Sequence, residues 1–210
     1  MIDDLRARLR EIASREMQSD PSHDVAHLDR VWKNAHEIAS DETGADQKVL
    51  VAASYFHDLI NLPKDSPDRH LASKQSASKA ISLLRSLDFS EAEIKAVGHA
   101  IEAHSFLAGI PPQSLEAKII RDADRLDAIG AIGIARWFAV SGQLNRSLYD
   151  PEDPFASNKL PNDSLFTLEH WNLKLSLIAD SMLTAKGREI AQKRHKTMLS
   201  FLTTLRSEIT

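Results

Sequence analysis

The sequence predicts an all-α fold, and three observations carry that prediction. Apolar residues recur three and four apart along most of the chain, the period of an amphipathic helix rather than of a strand. Ala, Leu, Lys, Glu and Arg are frequent, while clusters of β-branched residues are short. The seven glycines and eight prolines are few for 210 residues, and all the prolines but Pro21 gather in three places. No internal repeat, low-complexity tract or domain boundary stands out, so the chain is read as one domain, 1–210.

Ile2, Leu5, Leu9, Ile12 and Met17 give a first helix that ends before Ser19-Asp20-Pro21. Ser22 is the expected N-cap of a second helix with Val25, Leu28, Val31, Ala35 and Ile38 inward. This helix carries His23 and His27, four apart and hence on one face, with Arg30 three beyond. Asp46 opens a third element, in which Ala52, Ala53, Phe56 and Ile60 mark a buried helix through the apolar run 49–60. That run delivers His57 and Asp58 side by side. An ionised carboxylate on a buried segment is costly unless it is paired or coordinated, and a divalent cation bound by imidazole and carboxylate meets that need. Adjacent helical residues point about 100° apart, so further ligands must come from elsewhere.

After a turn-rich stretch, a polar-faced helix is expected from about Pro67 to Leu87. Ser90-Glu91-Ala92-Glu93 is a capping box that opens a helix with Ile94, Val97 and Ile101 as core and His99 and His104 aboard. Ser114 starts a long helix containing Asp122, Asp124 and Asp127, followed by Gly130 and Gly133, which allow close approach of a neighbouring helix. From Gly142 to Ser164 the chain is polar, holds three prolines and has no clear period, as a lid-like loop would. Two amphipathic helices, about Leu165–Leu183 and Lys186–Ser207, complete the prediction.

Composition narrows the function. A net charge of −4 argues against long polyanions such as duplex DNA as partners, while a small phosphorylated molecule on a local basic patch fits. With no cysteine there are no disulfides, thiolate metal sites or cysteine nucleophiles, in keeping with a cytoplasmic protein. The first ten residues lack an apolar core of signal-peptide type, and no apolar run is long enough to span a membrane.

Among nine histidines, His36, His70 and His195 sit between charged residues and read as surface groups, whereas His170 adjoins Trp171 after the loop. Trp32 and Trp137 read as core. The informative set is His27, His57, Asp58 and Asp124, two imidazoles and two carboxylates suited to manganese, magnesium or iron(II), with zinc still among the candidates. The pair His23-Asp24 offers an alternative first ligand, ranked lower because a carboxylate near a helix start already meets the helix dipole favourably.

The series His27-x-x-Arg30-Val31, then His57-Asp58, then Ala123-Asp124-Arg125-Leu126 resembles the signature of the HD-domain phosphohydrolase superfamily. The resemblance implies an all-helical HD-domain bundle, a metal-binding core over about 20–140 with C-terminal helices over about 165–208 packed on it, and His27, His57, Asp58 and Asp124 as metal ligands. The segments 61–67, Arg69 to Ser73, His104-Ser105-Phe106 and 122–133 look like a bacterial subgroup of free-standing HD hydrolases, one type of which is a nucleotide pyrophosphohydrolase acting on deoxynucleoside triphosphates. Leu59-Ile60-Asn61-Leu62 replaces the Glu-Asp that follows His-Asp in alarmone hydrolases, and no Gly-Tyr-Pro of cyclic dinucleotide phosphodiesterases is found near the third helix.

The implied chemistry is hydrolysis of a phosphate ester or anhydride of a nucleotide by metal-activated water. Asp58 would both ligate the metal and orient the water. Lys64 and Arg69 are the candidate phosphate cations, with Lys74, Lys159 and Lys174 as more remote ones. His104 is the candidate phosphate donor or proton carrier, and His99 a further substrate or second-metal contact. Arg30 and Asp127 would fix ligand orientation. The alternatives are a phosphomonoesterase, or a regulatory module that binds nucleotide or metal without turnover.

Overall fold

The computed structural model describes residues 2–17, 24–62 and 66–209. The described residues form helices and turns with one isolated β-bridge, Ser147 to Phe166, and no strand. None of these helices is long and apolar enough to cross a membrane. The chain divides into two compact units, Met1–Asp124 and Arg125–Thr210.

The first unit is built on α1 (Ile2–Glu16), α2 (Val25–Ala39), α3 (Gln47–Phe56), α4 (Ala72–Leu84), α5 (Glu91–His104) and most of α6 (Leu115–Leu126). Helix α3 is its centre and packs against α1, α2 and α5. Every residue from Val49 to Phe56 is buried, as a helix without a polar face requires. Asp46 caps α3 as expected, its carboxylate accepting from the N–H groups of Lys48 and Val49. The helix closes earlier than predicted. His57, not Ile60, ends it, because the Ser76 hydroxyl accepts from the Ile60 N–H at 3.0 Å and donates to the Ile60 carbonyl at 3.3 Å, drawing the chain off the helical path.

Asp24, rather than Ser22, caps α2, its carboxylate accepting from the His27 N–H at 2.8 Å; Ser22 and His23 lie outside the described residues. Helix α4 is shorter than expected and begins only after a 3-10 turn at Arg69–Leu71. The α5 capping box forms as read, with Ile94, Val97 and Ile101 buried. Helices α4 and α5 pack closely at Gly98, where an added Cβ would lie 3.0 Å from Ile81 Cδ1. Tyr55 donates its hydroxyl proton to Asp29 at 2.8 Å and accepts from Arg6 at 2.9 Å, which ties α3 to α2 and α1.

The second unit holds α7 (Gly130–Gln143), α8 (Glu169–Leu173) and α9 (Ala185–Ile209), with α7 packed on α9. Gly130 has φ +78°, and an added Cβ would meet Arg194 Cγ at 3.0 Å, so the close approach expected there is made by α9. Gly133 instead packs on its own chain, against the Ala128 carbonyl.

The polar stretch after Gln143 is anchored rather than loose. Lys159 pairs with Asp150 and with the buried Glu169, while Arg206 lies 3.8 Å over the Phe155 ring. The single helix expected over 165–183 is broken. The N–H groups of Thr167 and Leu168 donate to the carbonyls of Ser147 and Leu148, so helical pairing starts only afterwards and gives α8 followed by 3-10 turns at Leu175–Leu177 and Ala179–Ser181. Trp137 is core, its indole N–H donating to the Thr167 carbonyl at 2.8 Å.

Candidate metal centre

Four helices of the first unit bring His27, His57, Asp58, His104 and Asp124 to one place. His27 lies in the first turn of α2, fixed by the Asp24 cap. His57 is the C-cap of α3, and its Nδ1 donates to the Ser54 carbonyl at 2.9 Å, which leaves a lone pair on Nε2. His104 ends α5 in the same manner, with Nδ1 on the Ile101 carbonyl at 2.6 Å. Asp124 sits in the last turn of α6, and the buried Asn34 of α2 donates to the carbonyl just before it, that of Ala123, at 3.0 Å.

The Nε2 atoms of His27 and His57 are 3.2 Å apart. Asp124 Oδ1 lies 3.5 Å from the first and 3.8 Å from the second, and Asp58 Oδ2 lies 3.8 Å and 3.6 Å from the same two atoms. The other Asp58 oxygen, Oδ1, is 3.6 Å from His104 Nε2. Ligand atoms held about 2.0–2.2 Å from one shared cation, at angles of about 90–120°, stand roughly 3–3.8 Å from each other. The spacing therefore fits a metal site, and the donors are of the right kind. A proton on His27 would satisfy a single imidazole contact, whereas two nitrogens and two carboxylates converging together call for a cation. Two sets among the described residues could hold an ion: His27, His57 and Asp124, and His57, Asp58 and His104.

Burial pushes the His57 imidazole down to about 4, so it is neutral and ready to coordinate at neutral pH. Burial alone would raise Asp58, but His57, His104 and His27 outweigh it and hold the carboxyl well below its usual range. His104 shifts the other way: burial opposes its charge, yet the hydrogen bond and charge of Asp58 raise it. The imidazoles are sealed, while the side chains of Asp58 and Asp124 keep 20% and 28% exposure, which is where a ligand can enter.

Other sequence candidates have different surroundings. Lys64 lies outside the described residues. Arg69 is half-buried and donates to the Leu62 carbonyl at 2.9 Å, bracing the chain that follows His57-Asp58. His99 joins neither ligand set; its Nε2 accepts from the Gln113 N–H at 3.0 Å and fastens a loop. Asp127 is buried and bonded by Arg136 at 2.9 Å. Lys74 is exposed, Lys159 is held by its carboxylates, and Lys174 lies 3.4 Å from Asp163. His36 and His70 are exposed as expected, but His195 is half-buried against the Trp171 ring. His170 is bonded to Asp163 at 2.7 Å.

The sequence reading missed Asn34. It falls seven residues after His27 on the same buried stripe, and a polar amide among Val31, Ala35 and Ile38 was the available signal.

Comparison with known proteins gives the family. The HD domain family model matches residues 24–129, a span that contains all five clustered side chains. The Bacillus subtilis protein YpgQ is 34% identical over 192 residues, covering 89% of this chain and 84% of YpgQ. A crystal structure of YpgQ in complex with ADP superposes with a TM-score of 0.74 at 29% identity, over 99% of this chain and 97% of that one. An HD-superfamily hydrolase from Bacillus thuringiensis superposes with a TM-score of 0.75 at 30% identity, over 99% and 98% of the two chains. With the family match covering half of its length and the His and Asp residues gathered inside that span, the chain belongs to the HD domain family.

Proposed function

We propose that this HD-domain hydrolase is a metal-dependent phosphohydrolase acting on nucleotides, with His27, His57, Asp58 and Asp124 as the ligands of one divalent cation. The observation that carries the reading is the convergence of two sealed imidazole nitrogens, 3.2 Å apart, with two partly open carboxylates. Manganese, magnesium and iron(II) suit this mixed nitrogen and oxygen set best. A cation bound there would supply a water of lowered pKa and neutralise charge on the phosphoryl oxygens.

The chain's own residues do the rest. Asp58, held ionised, accepts a hydrogen bond from the attacking water and orients it. His104, whose pKa the neighbouring Asp58 raises against the effect of burial, donates to a phosphate oxygen or to the leaving group. Arg69, with Lys64 nearby in sequence, stabilises the charge that builds on the transferring phosphate. ADP bound to YpgQ supports a nucleotide as the substrate class. The sequence resemblance to nucleotide pyrophosphohydrolases favours cleavage between the α and β phosphates.

The test is to load the purified protein with manganese or magnesium and offer nucleoside mono-, di- and triphosphates. Release of pyrophosphate from triphosphates is expected. Release of orthophosphate alone would make the protein a phosphomonoesterase, and no turnover with any of these cations would leave a binding module.

A further inference from the structure

The nucleotide reading leaves open what holds the base. Among the described residues of the first unit, the large apolar side chains that stand exposed are two neighbours, Phe106 at 75% and Leu107 at 57%. All the other exposed large apolar side chains belong to the second unit. Scattered apolar groups in water are ordinary, but an aromatic and an aliphatic side chain in succession at a loop start make a small apolar surface.

Its position is specific. Phe106 follows His104 by two residues, so its Cα lies within about 7.6 Å of the His104 Cα. His104 in turn stands 3.6 Å from Asp58. The loop is held in shape. Helix α5 ends at Ser105 in extended geometry, the Gly109 N–H donates to the Phe106 carbonyl at 3.3 Å with Gly109 at φ +66°, and the Gln113 N–H is taken by His99. By chain connectivity an exposed apolar pair thus lies close to a cluster of charged and polar groups. A nucleotide has the same division, a planar base beside charged phosphates.

We propose that Phe106 is the stacking platform for the nucleobase, with Leu107 extending the surface, and that His99 and Gly109 keep this loop in its receiving shape. The proposal rests on the nucleotide reading above. Stacking is tolerant of base identity, because every base presents a π face. The site therefore discriminates nucleotides from bare phosphates rather than one base from another.

The test measures binding of ADP and of inorganic pyrophosphate to the manganese-loaded protein by titration calorimetry, for the wild type, Phe106→Ala and Phe106→Trp. Phe106→Ala is expected to weaken ADP about tenfold while leaving pyrophosphate unchanged, and Phe106→Trp is expected to keep ADP binding. Equal weakening of both ligands, or no change in either, overturns the platform. So does loss of a dimer in Phe106→Ala, seen by sedimentation, with ADP affinity intact; that result gives the surface to a second copy of the chain. A wild type that binds pyrophosphate but not ADP sinks the nucleotide reading itself, before any variant is compared.

Discussion

The Nε2 atoms of His27 and His57 approach to 3.2 Å although thirty residues separate them, and both rings are buried. Two nitrogens so placed, with carboxylates around them, gain from a cation that binds the folded chain alone. At a free cation concentration a hundred times its Kd, the folded state gains about 2.7 kcal/mol. For a chain of this size that raises Tm by roughly 5–10 °C. Melting with manganese and with chelator should show this shift in the wild type and lose most of it in Asp124→Ala. A shift of the same size in the variant would remove Asp124 from the ligand set.

The metal-free protein should lose stability as it is acidified, in part through His57. Its pKa is depressed to about 4 in the fold from the ordinary 6.5. Between those values the unfolded chain binds the proton and the folded one does not, so stability falls as pH drops through that window and levels off below it. The loss from this residue reaches about 3 kcal/mol. His104 acts in the opposite sense. Its raised pKa contributes stability that is present below the unfolded value and is lost as pH rises through the folded one. Urea titrations of chelated protein should show a shallower loss between pH 6.5 and 4 in His57→Gln than in the wild type, whereas His104→Gln should remove the gain in stability that the wild type shows as pH falls toward 6.5 from above.

Catalysis should separate from coordination at Asp58 and His104. Asp58→Ala should abolish both metal uptake and turnover while leaving a helical circular dichroism spectrum. His104→Gln should retain the metal, as measured by metal content, and lose roughly 10²–10⁴ in kcat. If His104→Gln also empties the site, the second ligand set, with His57 and Asp58, describes the centre better than the first.

Asn34 should matter more than a mid-helix asparagine usually does. Its amide holds the Ala123 carbonyl immediately before Asp124. Asn34→Ala removes this buried hydrogen bond, at a cost of about 0.5–1.5 kcal/mol, and loosens the last turn of α6. Manganese affinity should fall about tenfold or more, as is common when a residue supporting a ligand is removed. An unchanged affinity alongside lowered stability would make Asn34 a packing residue only.

How much of this was readable from residues alone follows from how far each decision reaches along the chain. The caps at Asp46 and Ser90 were legible because cap and capped N–H lie within three residues. The end of α3 was not, since a hydroxyl sixteen residues away decides it. The break before α8 depends on Ser147 and Leu148, some twenty residues earlier. His27, His57, Asp58 and Asp124 were legible as a set through the resemblance, whereas spacing alone left them as separate pieces. The bond from Gln113 to the His99 ring was not legible either, because nothing local marks it.

His57 and His104 each lean on the carbonyl three residues before them, those of Ser54 and Ile101. Those oxygens belong to the polypeptide itself, so no exchange of side chain at 54 or 101 deletes them. The tautomer that aims each ring is inherited with the helix. Evolution can redecorate those two positions for packing while both imidazoles stay set, a freedom that a side-chain pairing such as Tyr55 with Asp29 does not share.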